Sequence, residues 1–185
     1  MNCMQIDKAS ISNGTGVRVV LWCAGCTRQC RGCFNPETWD FNAGQPFDKG
    51  AKEYLFEKLN KPYIQGITFS GGHPLEPQNV MDVCNLILEI KSKFPNKDIW
   101  LYTGYELSIC SFTTIQKGIN LTCEEGNCMH HNYMQTVLSN CDVVVDGPFI
   151  EAQRDLTLAF RGSKNQRLID VKKTITQNEI VLYEA

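Results

Sequence analysis

The sequence predicts an α/β fold, a partial (open) βα barrel with a mostly parallel sheet and a C-terminal β-hairpin. Two observations carry this prediction. Short apolar runs rich in β-branched residues alternate with longer amphipathic segments, as they do in βαβ units. The 185 residues hold only a few such units, too few for a closed eight-stranded barrel, and the length suits one compact domain. We therefore expect a single domain over residues 1–185.

The predicted elements are strands and helices in near alternation. Buried strands are expected where apolar, often β-branched residues are contiguous, at residues 17–23, 66–70, 98–102 and 141–145. Helices are expected at residues 50–59 and 80–94, because apolar residues recur there every three or four positions. In the tail, residues 167–175 and 180–183 flank a polar Thr-Gln-Asn-Glu stretch, and this pattern predicts the antiparallel hairpin.

A chemically unusual loop follows each of the four predicted strands directly. These loops are the cysteine-rich stretch after residue 23, Gly71-Gly72-His73-Pro74, Thr103-Gly104-Tyr105 and Asp146-Gly147-Pro148. Parallel α/β folds place their active sites at the carboxyl ends of their strands. We therefore expect the four loops to meet at one rim of the sheet and to form the functional site.

Charge and hydropathy exclude several classes of protein. Eighteen Lys and Arg residues against twenty Asp and Glu residues give a net charge of −2, so no basic face for nucleic acid is expected. The first ten residues lack a basic start followed by an apolar run, and no signal peptide is expected. No apolar stretch is long enough to span a membrane. These features predict a cytoplasmic protein.

Three cysteines form a C-x3-C-x2-C array at Cys26, Cys30 and Cys33, and clustered thiols in a chain of cytosolic composition indicate metal or redox chemistry. Three thiolates can bind three corners of a cubane iron–sulfur cluster and leave the fourth iron open to an external ligand. Cys23 lies at C-x2-C spacing from Cys26, so a closed four-cysteine zinc or iron–sulfur site is the alternative. Against it, Cys23 ends an apolar strand, where a buried thiol usually packs as a small hydrophobe. The spacing alone leaves both alternatives open.

The array resembles the signature of radical S-adenosylmethionine (SAM) enzymes. The flanking sequence is similar to a narrower family, the glycyl-radical-activating enzymes that serve anaerobic ribonucleoside-triphosphate reductases. The motifs that carry this similarity extend over nearly the whole chain and are highly specific as a set. They are Asn13-Gly14-x-Gly16, Gly25-Cys26 through Cys33-Phe34-Asn35, Thr38-Trp39, Gly44-Gln45-Pro46-Phe47, Ser70-Gly71-Gly72-x-Pro74-Leu75-x-Pro77-Gln78-Asn79-Val80, Lys97-Asp98-Ile99-Trp100, Thr103-Gly104-Tyr105, Val145-Asp146-Gly147 and Arg161-Gly162-Ser163-x-Asn165-Gln166.

The resemblance implies a specific reaction. Cys26, Cys30 and Cys33 are then the catalytic and metal-binding residues, which hold one 4Fe–4S cluster whose fourth iron is exchangeable and binds SAM. An electron from the reduced cluster splits the S–C5′ bond of SAM and yields methionine and a 5′-deoxyadenosyl radical. In the family that the chain resembles, this radical removes a hydrogen atom from a glycine of the reductase large subunit. The resemblance also suggests a flavodoxin-type electron donor.

Two alternative functions are kept beside this one. The first is a different small radical-SAM enzyme, such as an activase of pyruvate formate-lyase or an enzyme of modified-base biosynthesis. The second is a non-catalytic zinc or iron–sulfur module that uses all four clustered cysteines to organise a binding surface.

The resemblance also assigns cofactor-binding residues. Gly32, Cys33 and Phe34 are expected beside the cluster at the adenosine end of SAM. The glycine motif Ser70-Gly71-Gly72 is expected to receive the methionine amino group, with Gly72 allowing the closest approach. Thr103 offers a hydroxyl and Asp146 a carboxylate, although a helix-capping threonine and a turn Asp-Gly are their ordinary structural roles. His73 stands where many members of the superfamily have an acidic residue.

One segment, at about residues 106–138, is longer than the family pattern requires, and we expect it to be an insertion. It contains Cys110, Cys123, Cys128, His130 and His131. The Cys-x4-Cys-x-His spacing matches no strong zinc template. We therefore expect a surface elaboration at a partner interface in preference to a second metal site.

Overall fold

The computed structural model describes residues 1–113 and 125–184, with the backbone alone at 113 and 125–128. In these residues the chain forms a seven-stranded sheet in the order β3-β1-β2-β4-β5-β6-β7. The strands are β1 Asn2–Ser10, β2 Arg18–Cys23, β3 Gln45–Pro46, β4 Gly66–Gly71, β5 Asp98–Tyr102, β6 Val143–Asp146 and β7 Arg167–Asp170. The helices are α1 Lys49–Leu59, α2 Val80–Lys93, α3 Cys110–Thr113, α4 Glu125–Asn140 and α5 Val171–Gln177.

The centre of the sheet is parallel and its margins are antiparallel. β2 pairs with β4, β4 with β5, and β5 with β6, all in parallel. β1 pairs with β2 and β3 in antiparallel register, and β7 pairs in the same way with β6. The predictions of an α/β fold and of the four core strands and two helices are confirmed within one or two residues at each end. The partial barrel stays a prediction.

The two faces of the sheet have different surroundings, because successive residues of a strand point to opposite sides. One face packs under α1, α2 and α4 and forms the main core, with Leu21, Ile67, Leu101 and Val144 fully buried. The other face carries Trp22, Ser70 and Tyr102, which line a cavity. Helices therefore cover one side, and the second side is left for the site.

The predicted C-terminal hairpin is wrong for residues 171–177, which form a helix. Residues 167–170 form β7, but the chain then turns into α5 instead of continuing as a strand. The side chain of Asp170 accepts a hydrogen bond from the backbone N–H of Lys173 and caps this helix. Val171 and Thr174 are buried three residues apart, on one side of the helix. After the helix, the tail returns beside β7: Ile169 and Leu182 form an antiparallel bridge, the N–H of Asp170 donates to the carbonyl of Val181, and the N–H of Tyr183 donates to the carbonyl of Leu168.

β1 is a strand that the sequence analysis did not predict. Of its nine residues only Cys3 is fully buried, and the rest are partly or largely exposed. Such a mixed segment lacks the contiguous apolar run of a central strand. Its pairing with β2 stabilises it instead.

In the described part of the chain, no helix is both long and apolar enough to cross a membrane.

Candidate active site

The site lies at the carboxyl ends of the parallel strands, where the four predicted loops meet. A cavity of about 140 Å³ opens there, and each loop contributes to it. Its lining comprises Cys26, Arg28, Cys30, Cys33, Asn35, Thr38, Trp39, Ser70, Gly71, Gly72, His73, Tyr102, Thr103, Gly104, Gly147, Phe149 and Gln166. The structure therefore brings together residues that are far apart in the sequence, as the positions of the loops predicted.

The cysteines divide into two groups by burial. Cys26, Cys30 and Cys33 are partly exposed and line the cavity. Cys23 is 0% exposed, because it lies within β2 between Cys3 of β1 and the end of β4. Burial raises the pKa of the Cys23 thiol to about 12 and disfavours the thiolate that a metal requires. Cys23 is thus a core residue and not a fourth ligand in this arrangement.

Backbone N–H groups face two of the three cavity sulfurs. The N–H of Asn35 donates to Sγ of Cys33 over 3.4 Å. Burial raises the pKa of Cys26, while hydrogen bonds from the backbone of Arg28 and Gln29 act in the opposite direction. Hydrogen bonds to the sulfurs are one of the means by which proteins tune iron–sulfur clusters. In the described residues, no three His, Cys, Asp or Glu side chains are arranged to hold a single metal ion.

Gly72 lies against the cysteine loop. The N–H of Gly72 donates to the carbonyl of Cys23 over 2.8 Å, and the N–H of His73 donates to the carbonyl of Gly25 over the same distance. A Cβ at residue 72 would collide with the carbonyl oxygen of Gly25 and lie 2.9 Å from its carbonyl carbon. Gly72 therefore permits two backbones to approach each other. This is a reason for glycine that the sequence analysis did not foresee, since it expected the ligand on that side.

A buried hydrogen-bonded chain joins three of the loops. His73 is 1% exposed; its Nε2 lies 2.8 Å from Oγ1 of Thr103, and its Nδ1 lies 3.1 Å from Oε1 of Glu76. The same carboxylate oxygen accepts from the backbone N–H and the hydroxyl of Thr27, over 2.9 and 2.7 Å. Burial alone would raise the pKa of Glu76, but these hydrogen bonds outweigh it and lower the pKa to about 2. Glu76 is therefore a buried carboxylate anion.

The other predicted cofactor residues lie in several places. Ser70, Gly71 and Thr103 line the cavity. Phe34 is half exposed and lies in an adjoining cavity of about 510 Å³, where its ring is 5.0 Å from that of Phe149. Gly32 has a left-handed φ of +72° and faces the side chain of Glu151, away from the lining residues.

Asp146 is not among the residues that line either cavity. Its carboxylate is 1% exposed and forms an ion pair with Arg167. Nε of Arg167 donates to Oδ1 over 3.0 Å, and the N–H of Leu107 donates to Oδ2 over 2.9 Å. The carboxylate is thus engaged inside the protein, where it joins β6 to β7 and to the loop after β5.

This pair leads to a prediction about stability. Replacing Arg167 with Met leaves Asp146 as a buried, uncompensated charge, and we expect the free energy of unfolding to fall by about 3 kcal/mol. Lys164→Met is the matched control; its partner Asp155 lies at the surface, and we expect a much smaller loss of stability than for Arg167→Met. Urea denaturation of the cluster-free protein measures both. A stable Asp146→Asn variant that loses affinity for SAM would instead return Asp146 to the ligand site.

Some lining residues were missed in the sequence. Arg28 lies between the first two cysteines of the array, so its position was itself a signal. Tyr102 follows from strand alternation, because it ends β5 on the same face as Trp100. Phe149 and Gln166 come from the segment after β6; Phe149 carries no local pattern, and Gln166 ends one of the family motifs without a role assigned to it. Only the path of this segment across the sheet brings them to the cavity.

The segment at 106–138 is described only in part. Cys123 and the side chain of Cys128 lie outside the described residues, so the predicted absence of a metal there is untested. His130 is described, and its Nε2 lies 2.9 Å from the carbonyl oxygen of Leu75.

Fold and site together define an α/β protein with three partly exposed cysteines in one cavity at the rim of its sheet, a donor set that fits an iron–sulfur cluster. Residues 12–169 match the family of the 4Fe–4S single cluster domain. Three relatives extend this finding, and each carries the name anaerobic ribonucleoside-triphosphate reductase-activating protein. That of Escherichia coli (strain K12) is 38% identical over 90% of this chain and 96% of its own length. That of Enterobacteria phage T4 is 38% identical over 91% and 93%, and that of Vibrio cholerae serotype O1 34% over 90% and 96%.

The chain belongs to the family of anaerobic ribonucleoside-triphosphate reductase-activating proteins. The family predicted from the cysteine array and its flanking motifs is therefore confirmed, as are an iron–sulfur cofactor and an activating enzyme.

Proposed function

We propose that this chain cleaves SAM reductively at a 4Fe–4S cluster and generates a glycyl radical on the large subunit of the anaerobic ribonucleoside-triphosphate reductase. One observation carries the proposal. Three partly exposed cysteines share a cavity, while the fourth clustered cysteine, Cys23, is withdrawn into the core. A cluster bound by three protein ligands keeps one iron open, which a cofactor with its own donor atoms requires.

The residues present fit this cofactor. Three thiols are the donor set of an open cubane cluster, and N–H groups already face two of them. Backbone hydrogen bonds hold the glycine motif against the start of the cysteine loop, and the lack of a side chain at Gly72 permits this close approach to Gly25. A molecule bound to the cluster would therefore lie near the glycine motif. Cys26, Cys30 and Cys33 would hold the cluster, which when bound and reduced would supply the single electron needed for reductive cleavage of SAM.

The residues of this chain have separate tasks in the proposed reaction. The thiolates of Cys26, Cys30 and Cys33 hold the cluster. We assign the backbone carbonyl groups of Gly71 and Gly72 to the methionine amino group, because the N–H of Gly72 already donates to the carbonyl of Cys23. Aromatic rings of the lining, such as that of Phe149, are available to the adenine and help to keep water from a reactive radical.

Arg28 is the basic side chain that we assign to the methionine carboxylate. It lines the cavity, and its guanidinium lies 5.8 Å from the ring centroid of Tyr105. A guanidinium matches a carboxylate by two parallel hydrogen bonds. We expect Arg28→Gln to weaken SAM binding by roughly 10- to 100-fold and to leave the iron content unchanged. Binding titrations on the reconstituted protein measure this.

Arg31→Gln is the matched control for Arg28→Gln. Arg31 is in the same loop and carries the same charge, but its Nε is paired with Glu151 over 3.0 Å and its side chain is 93% exposed. Equal effects of the two substitutions would show that only the general positive charge of the loop matters.

The second cavity supports the proposal that the substrate is a protein. It holds about 510 Å³ and shares Ser70, Tyr102 and Gln166 with the first. Leu156 and Leu158 give it an apolar wall, and Leu156 is 72% exposed. A glycine-bearing segment of the reductase therefore has a route to the site through this cavity, on the face of the sheet that the described helices do not cover.

The proposed function is tested by electron paramagnetic resonance (EPR). The anaerobically reconstituted and reduced protein is mixed with SAM and the reductase. A glycyl-type signal on the reductase, with 5′-deoxyadenosine formed, is the expected result. Cleavage of SAM without that signal would contradict the proposed partner. Failure to cleave SAM with four irons bound would contradict the reaction itself, and a colourless zinc protein would favour the non-catalytic module.

Further parts of the proposal concern the setting of the enzyme. The partly exposed cysteines give a flavodoxin-type donor access to the cluster. The thiols of Cys26, Cys30 and Cys33 must stay reduced to hold a cluster, which suits the cytoplasm. We also propose a single domain over residues 1–185 with a partial-barrel sheet, and an insertion at about 106–138 that faces the partner.

A further inference from the structure

The cysteine loop is attached to the β4–α2 loop (residues 72–79) on both sides of its first ligand. Before Cys26, the carbonyl of Gly25 accepts from the N–H of His73 over 2.8 Å. After Cys26, the N–H and hydroxyl of Thr27 donate to Oε1 of Glu76 over 2.9 and 2.7 Å. Cys26 is therefore bracketed by two attachments to one loop.

Glu76 is built into this position. Its side chain is 3% exposed, and its Oε1 faces three donor or ring atoms: two of Thr27 and Nδ1 of His73. A carboxylate only accepts, so Nδ1 of His73 carries the proton in this contact. In a neutral imidazole, Nε2 then accepts from the hydroxyl of Thr103 at 2.8 Å. The chain of contacts thus runs from the cysteine loop through Glu76 to the end of β5.

Both ring nitrogens of His73 are used inside the protein. His73 is 1% exposed although it contributes to the cavity wall, and its ring packs edge-on against Tyr105 at 4.5 Å. The residue after the two glycines therefore does not offer its side-chain nitrogens to a ligand here. The acidic group of this loop is at residue 76 instead, and it points to the cysteine loop.

We propose that Glu76 is a positioning residue that holds the Cys26 end of the cysteine loop at a fixed distance from the Gly71–Gly72 backbone. This inference rests on the proposed function, because the cysteine loop would hold the cluster whose open iron binds SAM, while the Gly71–Gly72 backbone would contact the methionine amino group of the same SAM molecule. A displacement of about 1 Å between two such groups costs about 100-fold in rate. Glu76 acts on SAM only through Thr27 and Cys26.

The test uses Glu76→Gln, which keeps the shape and removes the charge, and Thr27→Val, which removes only the hydroxyl. Both proteins are reconstituted anaerobically, and iron content, SAM affinity and the SAM-induced change in the EPR spectrum of the reduced cluster are measured. We expect Glu76→Gln to retain its iron, to bind SAM roughly 10- to 100-fold more weakly and to show an altered spectrum with SAM. Thr27→Val is expected to have a smaller effect.

The double variant identifies the contact. If Glu76 acts through Thr27, the loss of SAM affinity in Glu76→Gln combined with Thr27→Val is smaller than the sum of the two single losses, because the Glu76 carboxylate and the Thr27 hydroxyl take part in the same hydrogen bond. Fully additive losses would overturn the attachment through Thr27. Glu89→Ala is the control for loss of a glutamate; Glu89 pairs with Lys52 and Lys93 on the outer surface of α2, and we expect wild-type behaviour.

Hydrogen exchange of the cluster-free protein separates this proposal from the proposed function. Faster exchange of the Thr27 amide in Glu76→Gln is expected whether or not the wild-type protein cleaves SAM. Unchanged exchange would overturn the attachment. Faster exchange with unchanged SAM affinity and spectrum would reduce Glu76 to a structural role. If the wild-type protein itself binds no SAM, the proposed function fails, and the exchange result still stands or falls separately.

Discussion

Replacing Cys30 with alanine is expected to abolish SAM cleavage, whereas replacing Cys23 with alanine is expected to leave it intact. Both residues belong to the same cluster of four cysteines in the sequence, but only Cys30 lines the cavity. Loss of one of three ligands leaves the cluster without a stable attachment, and the chemistry depends on the cluster. We expect fewer than about one iron per chain in Cys30→Ala and about four in Cys23→Ala.

Iron and sulfide analysis after anaerobic reconstitution, with 5′-deoxyadenosine formation, checks this pair of variants. Cys23→Ala removes a fully buried sulfur, so a loss of stability on the order of 1 kcal/mol is expected and is measured in parallel. A folded Cys23→Ala protein that holds no cluster would contradict the three-ligand site and favour the closed four-cysteine module. Cys26→Ala and Cys33→Ala are expected to behave as Cys30→Ala.

Gly72→Ala is expected to lose both SAM affinity and part of its iron. A single methyl group at this residue collides with the backbone of Gly25, which directly precedes Cys26. The two loops must then separate, and the first cluster ligand moves away from the glycine motif. Because such a displacement costs about 100-fold in binding or rate, we expect SAM affinity to fall by at least that factor.

Gly50→Ala is the control for Gly72→Ala. A Cβ at residue 50 in α1 has Asp48 as its neighbour at 3.4 Å, an ordinary contact, and alanine favours a helix by up to about 1 kcal/mol. Iron content and SAM titrations distinguish two explanations. Full iron with lost SAM affinity would place the methyl group against the ligand, as the sequence analysis supposed. Unchanged iron and unchanged affinity would show that the loops adapt to it.

The central strands were predictable because they are buried on both faces and so appear as continuous apolar runs. The strand at residues 66–71 is an example, and the glycine motif that follows it was placed at the rim by a general rule of parallel sheets. β1 and α5 were not predictable in the same way. β1 is a half-exposed strand. The segment that forms α5 is so short that its apolar pattern fits a strand or a helix until its packing is known.

The side-chain partners of Asp146 and Glu76 were not predictable from the sequence either. Asp146 comes at the end of a strand, as ligand residues often do, but Arg167 of β7 forms an ion pair with its carboxylate. Glu76 gave no signal, because its partner Thr27 is 49 residues away. No local pattern in one sequence reports contacts of that kind.

The amino-acid sequence alone determined the candidate donors of this protein: four cysteines at the end of a buried strand, three of them in a C-x3-C-x2-C array within eight residues. Ligand identity and spacing are local properties, and a resemblance spread over most of the chain could be recognised from them. Only the tertiary structure decided which cysteine is buried away from the site, which glycine lets two backbones approach each other and which carboxylates are already paired. These depend on burial and on contacts between distant segments, which exist only when the sheet has formed.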